Sequence, residues 1–242
     1  QETDKSGGRA FVLNTVVSSR LPARVTAAYG ADFEQTLTGF KWLWHRALQR
    51  QAAGDRFVFA YEDAIGFSST PRVRDKDGIA TAVEVLWLAQ TTQASGQTLY
   101  DRLNGLYQRY GLSITRQVSL QLDGADATER MHRQLQTLRQ SPPATLSGLP
   151  ITRVHDYVVA QSRDRDSGRI EPIALPTTNL VQLDLTGPDG DYYISVRPSG
   201  TEPKLKIYLE YLGAPGAAGT DPLAESVVQS AQLEALAEAL SE

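Results

Sequence analysis

The stretch FVFAYEDAIGF, residues 57–67, leads from an apolar run directly into a polar loop. Its first five residues have the length and composition of a strand buried in a sheet. Residues 62–78 then form a long polar segment, and a loop of this length inside a compact domain commonly carries function. We therefore predict a buried strand that ends in a candidate functional loop.

Strand and helix patterns alternate on both sides of this stretch. Residues 11–18 are apolar and β-branched, as in a strand, and residues 39–51 place apolar side chains at helical spacing. Asp77 is a plausible N-cap for another amphipathic helix, and Thr98 with Asp101 has the spacing of a capping box at the start of the next. The resulting order of strand, helix, strand, loop, helix and helix predicts an α/β domain.

The pattern changes in the second half of the chain. Residues 112–121 alternate between apolar and polar side chains, and we place the domain boundary near their end, between residues 1–120 and residues 121–242. Helices are predicted beyond it at residues 128–140 and 222–240, and strands at residues 154–160, 179–185, 192–196 and 205–211. The second half is therefore predicted to be a smaller α+β domain.

Composition excludes several classes of protein. The 242 residues include no cysteine, which excludes disulfides, thiolate metal sites and thiol catalysis. A net charge of -4 is the wrong balance for a protein that coats nucleic acid, and no apolar run approaches the length of a membrane span. An anion bound by this chain must therefore be held by a local cluster of cations.

The stretch VRPSGTEPKLKIYLE, residues 196–210, has the composition of such a cluster between two strands. Arg197 offers a planar fork of donors, Ser199 and Thr201 offer hydroxyls, and Gly200 permits a backbone that exposes N–H groups. Positive charge is added by Lys204 and Lys206, and alternation along the second strand puts Lys206, Tyr208 and Glu210 on the face that can meet a ligand. A Pro/Gly-rich turn with ordinary surface cations is the alternative reading.

Four motifs together carry a resemblance to a known family. The stretch at residues 196–210 resembles the phosphate-binding loop of the last domain of the α-D-phosphohexomutases, the superfamily of phosphoglucomutase and phosphomannomutase. TLTGFKW (residues 36–42), YEDAIGF (61–67) and VRDKDGI (73–79) resemble further motifs of that superfamily in order and spacing. The resemblance implies the C-terminal two mutase domains: a mixed-sheet third domain at residues 1–120 and a smaller α+β fourth domain at residues 121–242.

The same resemblance implies roles for individual residues. Glu62 matches a glutamate that binds sugar hydroxyls, and the position two residues later, often Ser in related mutases, is Ala64. Lys76 matches a lysine that faces the reacting centre, and Lys41 is a weaker candidate for the same pocket. The phosphate is expected to be held by Arg197, Ser199, Gly200, Thr201 and Lys206. Lys76 also lies among alternating charges that are typical of a solvated loop, so that reading stays open.

The implied reaction is an isomerisation in carbohydrate metabolism, in which a phosphoserine and Mg²⁺ interconvert hexose 1-phosphate and hexose 6-phosphate through a bisphosphate intermediate. The motifs of the phosphoserine and metal loops, resembling TASHNP and DGDxDR, do not occur in this sequence, and Asp189-Gly190-Asp191 is interpreted as a hairpin turn. We therefore expect a chain that binds no metal, is inactive alone and works with N-terminal mutase domains, in cis or as a separate chain. The resemblance also implies a cytoplasmic location.

Two further matters stay open at this point. A stand-alone module that binds sugar phosphates without turnover is the alternative function, whereas nucleic acid and membrane partners are not expected. The preferred sugar, whether glucose, mannose or a pentose, is not determined, because the substitution at Ala64 removes one hydrogen bond from the sugar-reading loop.

Overall fold

The structure, a computed structural model, describes residues 7–63, 65–121, 126–199, 204–217 and 222–240. The chain forms two compact units, Gln1–Leu106 and Tyr107–Glu242. Within the described residues, no helix is both long and apolar enough to cross a membrane.

The first unit is built on a four-stranded mixed sheet. Its elements are β1 (Ala10–Thr15), α1 (Leu21–Ala28), β2 (Asp32–Thr36), α2 (Phe40–Ala52), β3 (Arg56–Glu62), β4 (Gly66–Ser68), α3 (Gly78–Ala94) and the start of α4 (Leu99–Tyr110). The strand order is β2-β1-β3-β4, in which β1 runs parallel to β2 and β3, and β4 is antiparallel to β3. The predicted α/β class with a mixed sheet is confirmed.

The apolar core of this unit lies between α2 and one face of the sheet. Its buried members are Phe11, Leu13, Phe40, Leu43, Trp44, Ala47, Phe57 and Ala60. On the rim of this layer, Arg50 of α2 pairs with Asp32 at 2.6 Å, with Asp55 at 2.5 Å and with Glu34. Hydrogen bonding to Arg46, opposed by burial, lowers the pKa of Glu34, with Arg50 contributing in the same direction. The ion pairs therefore hold α2 on the sheet that carries the strand before the candidate loop.

The second unit is an antiparallel sheet with two helices. Its elements are β5 (Ser113–Gln121), α5 (Ala127–Gln140), β6 (Thr145–Leu146), β7 (Leu149–Asp156), β8 (Gln161–Asp164), β9 (Ile170–Pro172), β10 (Val181–Thr186), β11 (Gly190–Pro198), β12 (Lys204–Gly213) and α6 (Pro222–Ala239). The strand order is β5-β12-β11-β10-β7-β8-β9, and β6 pairs with β7. Side chains of α5 and α6, among them Leu135 and Leu236, pack into the core of the sheet. The α+β class of this half is confirmed.

The size and the start of this unit differ from the prediction. The second unit was expected to be the smaller, but it is the longer of the two, and the division falls within α4 rather than at residue 120. The reason is β5, which pairs with β12 from Ser113 to Gln121 and so belongs to the second sheet. Alternation identifies such a strand, but its partner lies more than eighty residues further along the chain and leaves no local signal.

Local patterns in the sequence predicted the starts of two helices correctly but did not predict the short strands. The Asp77 carboxylate accepts a hydrogen bond from the Ala80 amide at 3.0 Å, and Thr98 and Asp101 form the reciprocal bonds of a capping box. The hairpin turn at Asp189-Gly190-Asp191 is also confirmed, because Gly190 and Asp191 begin β11 directly after β10. The strands without a predicted counterpart are β2, β4, β6, β8 and β9. They are short, and most of them lie at or next to a sheet edge, where apolar alternation is weak.

Candidate functional site

The carboxyl ends of the parallel strands of the first unit carry a network of polar side chains. Asn14 donates from its amide to the Tyr61 hydroxyl at 3.0 Å and accepts from Gln35 at 3.0 Å. The Asp63 backbone N–H donates to the Ser18 hydroxyl at 3.1 Å, which ties the loop after β3 to the loop after β1. Ligands of open α/β sheets commonly bind at this edge, so the network positions the loop where a ligand site is expected.

Glu62, the last residue of β3, is the centre of the site in this unit. Its side chain is buried, with Oε2 accepting from the Gly39 backbone N–H at 2.8 Å and Oε1 2.9 Å from the Lys76 ammonium. Gly39 stands immediately before α2 with a φ of 118°, a conformation that favours glycine. Three of the four motifs, at residues 36–42, 61–67 and 73–79, therefore meet on one carboxylate.

Lys76 is held from several directions and remains half-exposed. Its ammonium lies 4.6 Å from the centroid of the Phe40 ring, in addition to its ion pair with Glu62. Gly66 makes this close packing feasible: a Cβ at that position would lie 2.6 Å from Phe40, 2.9 Å from Glu62 and 3.1 Å from Lys76. The side chain of Lys76 is 48% exposed, against 10% for Glu62. The cation is therefore the member of the pair that faces solvent and can reach a ligand.

The loop after Glu62 combines burial with backbone strain. Burial, together with the nearby charge of Glu62, raises the pKa of Asp63, while its hydrogen bond with Ser18 opposes the shift. Ile65 adopts a φ of 62° although it is β-branched, and its side chain is exposed to solvent. Such a conformation is costly for isoleucine and is concentrated at functional loops. Ala64, the position of the departure from related mutases, lies outside the described residues.

Lys41 is not brought into this cluster. It is exposed in the first turn of α2, and its ammonium lies 5.7 Å from the centroid of the neighbouring Trp42 ring. Among the described residues, no ion pair joins Lys41 to Glu62. The helix start that delivers Phe40 to the cluster points the next side chain elsewhere, because successive helical residues differ by about 100° in direction.

A second candidate site lies on the hairpin of β11 and β12 in the other unit. Arg197 stands directly opposite Lys206 in the strand register. Its Nη2 donates to the Tyr208 hydroxyl at 2.8 Å, its guanidinium lies 5.5 Å from the centroid of that ring, and its buried Nε has no hydrogen-bond partner. No ion pair joins Arg197 or Lys206 to a carboxylate in the part of the chain that the structure describes. Like charges in this position repel each other, so the pair has an excess of positive charge suited to an anion.

The turn of this hairpin is described only at its two ends. The Ser199 backbone N–H donates to the Lys204 carbonyl at 2.7 Å, so that amide is already occupied within the protein. Gly200 and Thr201 lie outside the described residues. The strand face expected to meet a ligand is also more enclosed than its alternation indicates, because Tyr208 and Glu210 are both buried, and Glu210 accepts from the Ser113 hydroxyl at 3.2 Å. Arg197, Lys204 and Lys206 are half-buried cations on this face of the hairpin.

The residues that support the charged groups were not predicted as site residues. Gly39, Phe40 and Gly66 in the first unit, and Tyr208 in the second, contact the candidate cations or the Glu62 carboxylate. All four lie inside the quoted motifs, but the search for site residues in those motifs favoured charged side chains. Their contacts with Glu62, Lys76 and Arg197 are seen only in the folded structure, where the strands are paired.

The chain is similar to known proteins of one family. Residues 1–110 match the family model described as phosphoglucomutase/phosphomannomutase, alpha/beta/alpha domain III. The first 110 residues therefore carry a domain of this family, and the chain is similar to members of the α-D-phosphohexomutase superfamily. Phosphoglucomutases from Staphylococcus aureus (strain MSSA476) and Staphylococcus haemolyticus (strain JCSC1435) are each 28% identical to it, over 199 and 200 residues. These matches cover 82% and 83% of this chain but 35% and 36% of the relatives, so the chain spans about a third of their length.

Solved structures of the superfamily share the fold. The open form of the Paramecium phosphoglucomutase pp63/parafusin matches with a TM-score of 0.56 and 15% identity, over 92% of this chain and 36% of its own. A putative phosphomannomutase from Thermus thermophilus matches with a TM-score of 0.51 and 18% identity, over 93% of this chain and 37% of its own. At these identities the likeness concerns the fold alone.

Proposed function

We propose that this chain is the sugar-reading and phosphate-holding part of a sugar-phosphate mutase of the phosphoglucomutase/phosphomannomutase type. It belongs to the C-terminal part of such a mutase. The observation that carries the proposal is the meeting of three mutase motifs on the Glu62 carboxylate, with the half-exposed Lys76 beside it. A charged side chain on an ordinary surface loop does not pack against a glycine and an aromatic ring and does not contact a backbone amide in this way, whereas the Glu62–Lys76 pair contacts Gly66, Phe40 and the Gly39 amide.

In this proposal Glu62 accepts hydrogen bonds from sugar hydroxyls. Each carboxylate oxygen has two acceptor positions, and Gly39 and Lys76 occupy one on each. The remaining positions are oriented, because both bonds fix the plane of the carboxylate. Lys76 supplies a cation that stabilises a transferring phosphoryl group or moves a proton at the reacting oxygen.

The second unit would bind a phosphate monoester in this proposal. Arg197 and Lys206 repel each other in the absence of an anion, and a dianion relieves that repulsion. Tyr208 holds the guanidinium by a hydrogen bond and by its ring, which fixes the direction of the donors. Ser199, Gly200 and Thr201 complete the proposed phosphate site.

The residues described here do not fit a bound Mg²⁺. No group of three or more His, Cys, Asp or Glu side chains comes together among them. Asp191 accepts instead from the Thr186 hydroxyl across the hairpin, and the Asp189 carbonyl accepts from Tyr211. In this proposal another part of the mutase supplies the metal and the phosphoserine, because motifs resembling TASHNP and DGDxDR do not occur in this sequence.

Calorimetric titration of the chain with glucose 1-phosphate tests the proposal. We expect saturable binding that Arg197→Ala weakens by about 1.5–3 kcal/mol, the range for lost hydrogen bonds to a charged partner. Arg169→Ala is the matched control, since Arg169 is an exposed arginine of the same unit paired with Glu171. Glu62→Gln should change the affinity for sugar phosphates and leave that for inorganic phosphate unchanged. Equal effects of Arg197→Ala and Arg169→Ala would contradict the proposal.

A further inference from the structure

A cavity of about 520 Å³ lies in the second unit, between the C-terminal end of α5 and the turn that joins β7 to β8. Its lining includes the Arg139 side chain, which is 10% exposed, and that of Asp156, which is 20% exposed. Val158 and Val159 of the turn also line it and are themselves exposed. The volume falls within the range of about 300–1,000 Å³ that is usual for sites that bind small molecules.

The charged side chains that line this cavity do not balance one another. Arg139 is fixed by an ion pair of its Nε with Asp156 at 3.3 Å and by a hydrogen bond from its Nη2 to the Asn179 side chain. Arg163 of β8 adds a second guanidinium, and no ion pair joins it to a carboxylate within the described ranges of the chain. Two arginines against one aspartate leave the lining with a net charge of +1. A concave surface with an excess of positive charge attracts an anion.

The protein leaves much of the hydrogen-bonding capacity of this cavity unused. The buried Nε of Arg139 has no hydrogen-bond partner in addition to its ion pair. Arg163 donates once, from its Nη2 to the Arg139 carbonyl at 3.3 Å, although a guanidinium carries five N–H donors. A buried donor without an acceptor costs free energy, because its hydration is lost and not replaced. These guanidinium groups are therefore free to donate to an acceptor that enters the cavity.

The turn beside the cavity is held in a costly conformation. Ala160 has a φ of 52°, in the left-handed region that residues with a Cβ seldom adopt. The Ile173 backbone N–H donates to the Ala160 carbonyl at 2.8 Å, and the Tyr157 backbone N–H donates to the Leu180 carbonyl at 3.1 Å. Strained backbone that neighbouring hydrogen bonds enforce is concentrated at binding sites. The two exposed valines of the turn are thus presented on a fixed support.

We propose that this cavity binds a small organic carboxylate. The carboxylate would accept hydrogen bonds from Arg163 and Arg139, since a guanidinium matches its two oxygens, and an apolar body would contact Val158 and Val159. One negative charge balances the net charge of the lining, whereas a phosphate dianion leaves an excess. The two side-chain amides of the lining, Gln136 and Gln140, would meet polar groups elsewhere on the ligand.

The cavity is distinct from the proposed phosphate site. Asp156 pairs with Val181 in the sheet, and Val181 pairs with Val196. Both valines belong to the core that α5 and α6 cover, so Asp156 lies on that face of the sheet. Arg197 follows Val196 on the same strand, and strand alternation therefore directs it to the opposite face. The carboxylate site does not depend on the proposed function.

The test is an NMR titration of the chain with N-acetylleucine, which joins one carboxylate to an amide and an aliphatic body. We expect saturable shifts in the backbone amide signals of Val158 and Val159 and in the side-chain signals of the two arginines. Arg163→Gln should weaken binding by tenfold or more, and it leaves the Arg139–Asp156 pair in place because Arg163 is exposed. Arg133→Gln is the matched control, since Arg133 is an exposed arginine of α5 that pairs with Glu129 and does not line the cavity.

N-acetylleucine amide, the neutral counterpart of the probe, should bind at least tenfold more weakly. The proposal is overturned if the acid gives no saturable shifts at the cavity, if the two variants bind it equally, or if the neutral amide binds as tightly. Inorganic phosphate that binds the cavity of Arg197→Ala more tightly than the acid does would overturn it too. Titration with glucose 1-phosphate separates the two sites: Arg163→Gln should bind it as the wild type does, and a loss would assign Arg163 to the phosphate site instead.

Discussion

The two candidate sites differ in how the charges of their side chains are balanced within the protein. In the first unit, the buried Glu62 carboxylate is balanced by Lys76 and by the Gly39 amide. In the second unit, Arg197 and Lys206 lie opposite each other and no described carboxylate compensates them. The first cluster is complete without a ligand, whereas the second has unbalanced charge until an anion arrives. Removal of a cation should therefore destabilise the first unit and have little effect on the second.

The largest effect expected in this comparison comes from filling the space at the centre of the first cluster. Gly66→Ala should reduce the free energy of unfolding by about 1–3 kcal/mol, because the added Cβ meets Phe40, Glu62 and Lys76 at 2.6–3.1 Å. Urea unfolding measures the change. Gly105→Ala is the control, since nothing lies near its Cβ and it stands inside α4, where alanine should stabilise by about 0.5–1 kcal/mol. A Gly66→Ala variant as stable as the wild type would refute the enclosed geometry.

The next effect is a difference in stability between variants that lack Lys76 and variants that lack Arg197. Lys76→Met should destabilise by about 1 kcal/mol, a value reduced from that of a fully buried pair because Lys76 is half-exposed. Arg197→Met should stay within about 0.5 kcal/mol of the wild type without an anion, because the repulsion by Lys206 disappears with the charge. Thermal unfolding with and without inorganic phosphate checks both variants. Phosphate should stabilise the wild type and Lys76→Met but not Arg197→Met; the reverse order would disprove the contrast.

The smallest effect is a pH dependence confined to the first site. Burial raises the pKa of Asp63 in the folded state above its unfolded value. The folded state then binds the proton more tightly, so the contribution of Asp63 to stability is present at acid pH and is lost as pH rises through that raised pKa. Asp63→Asn should therefore gain stability relative to the wild type at pH 7 and lose that advantage near pH 3. Urea unfolding at both pH values tests this, and a difference that is constant with pH would contradict it.

Much of the fold could be predicted from the sequence, whereas fewer contacts of the candidate sites could be. Asp77 and the pair of Thr98 and Asp101 marked helix starts because a cap is a contact between residues three apart. Glu62 and Lys76 were expected at the site only through the resemblance, and their contact with each other was not predicted. Among the described residues, no ion pair joins Lys41 to Glu62. The support from Phe40, Gly66 and Tyr208 was not predicted, because each acts through a neighbour that is distant along the chain.

The amino-acid sequence alone determined most of the helices and the longer strands, the helix caps, the hairpin turn at residues 189–191 and the motifs of the superfamily. These depend on contacts within a few residues, which periodicity and turn chemistry record. Only the tertiary structure decided that β5 joins the second sheet and that three motifs meet at the Glu62 carboxylate. Strand partners and burial depend on which distant segments pack together, and no local pattern carries that information.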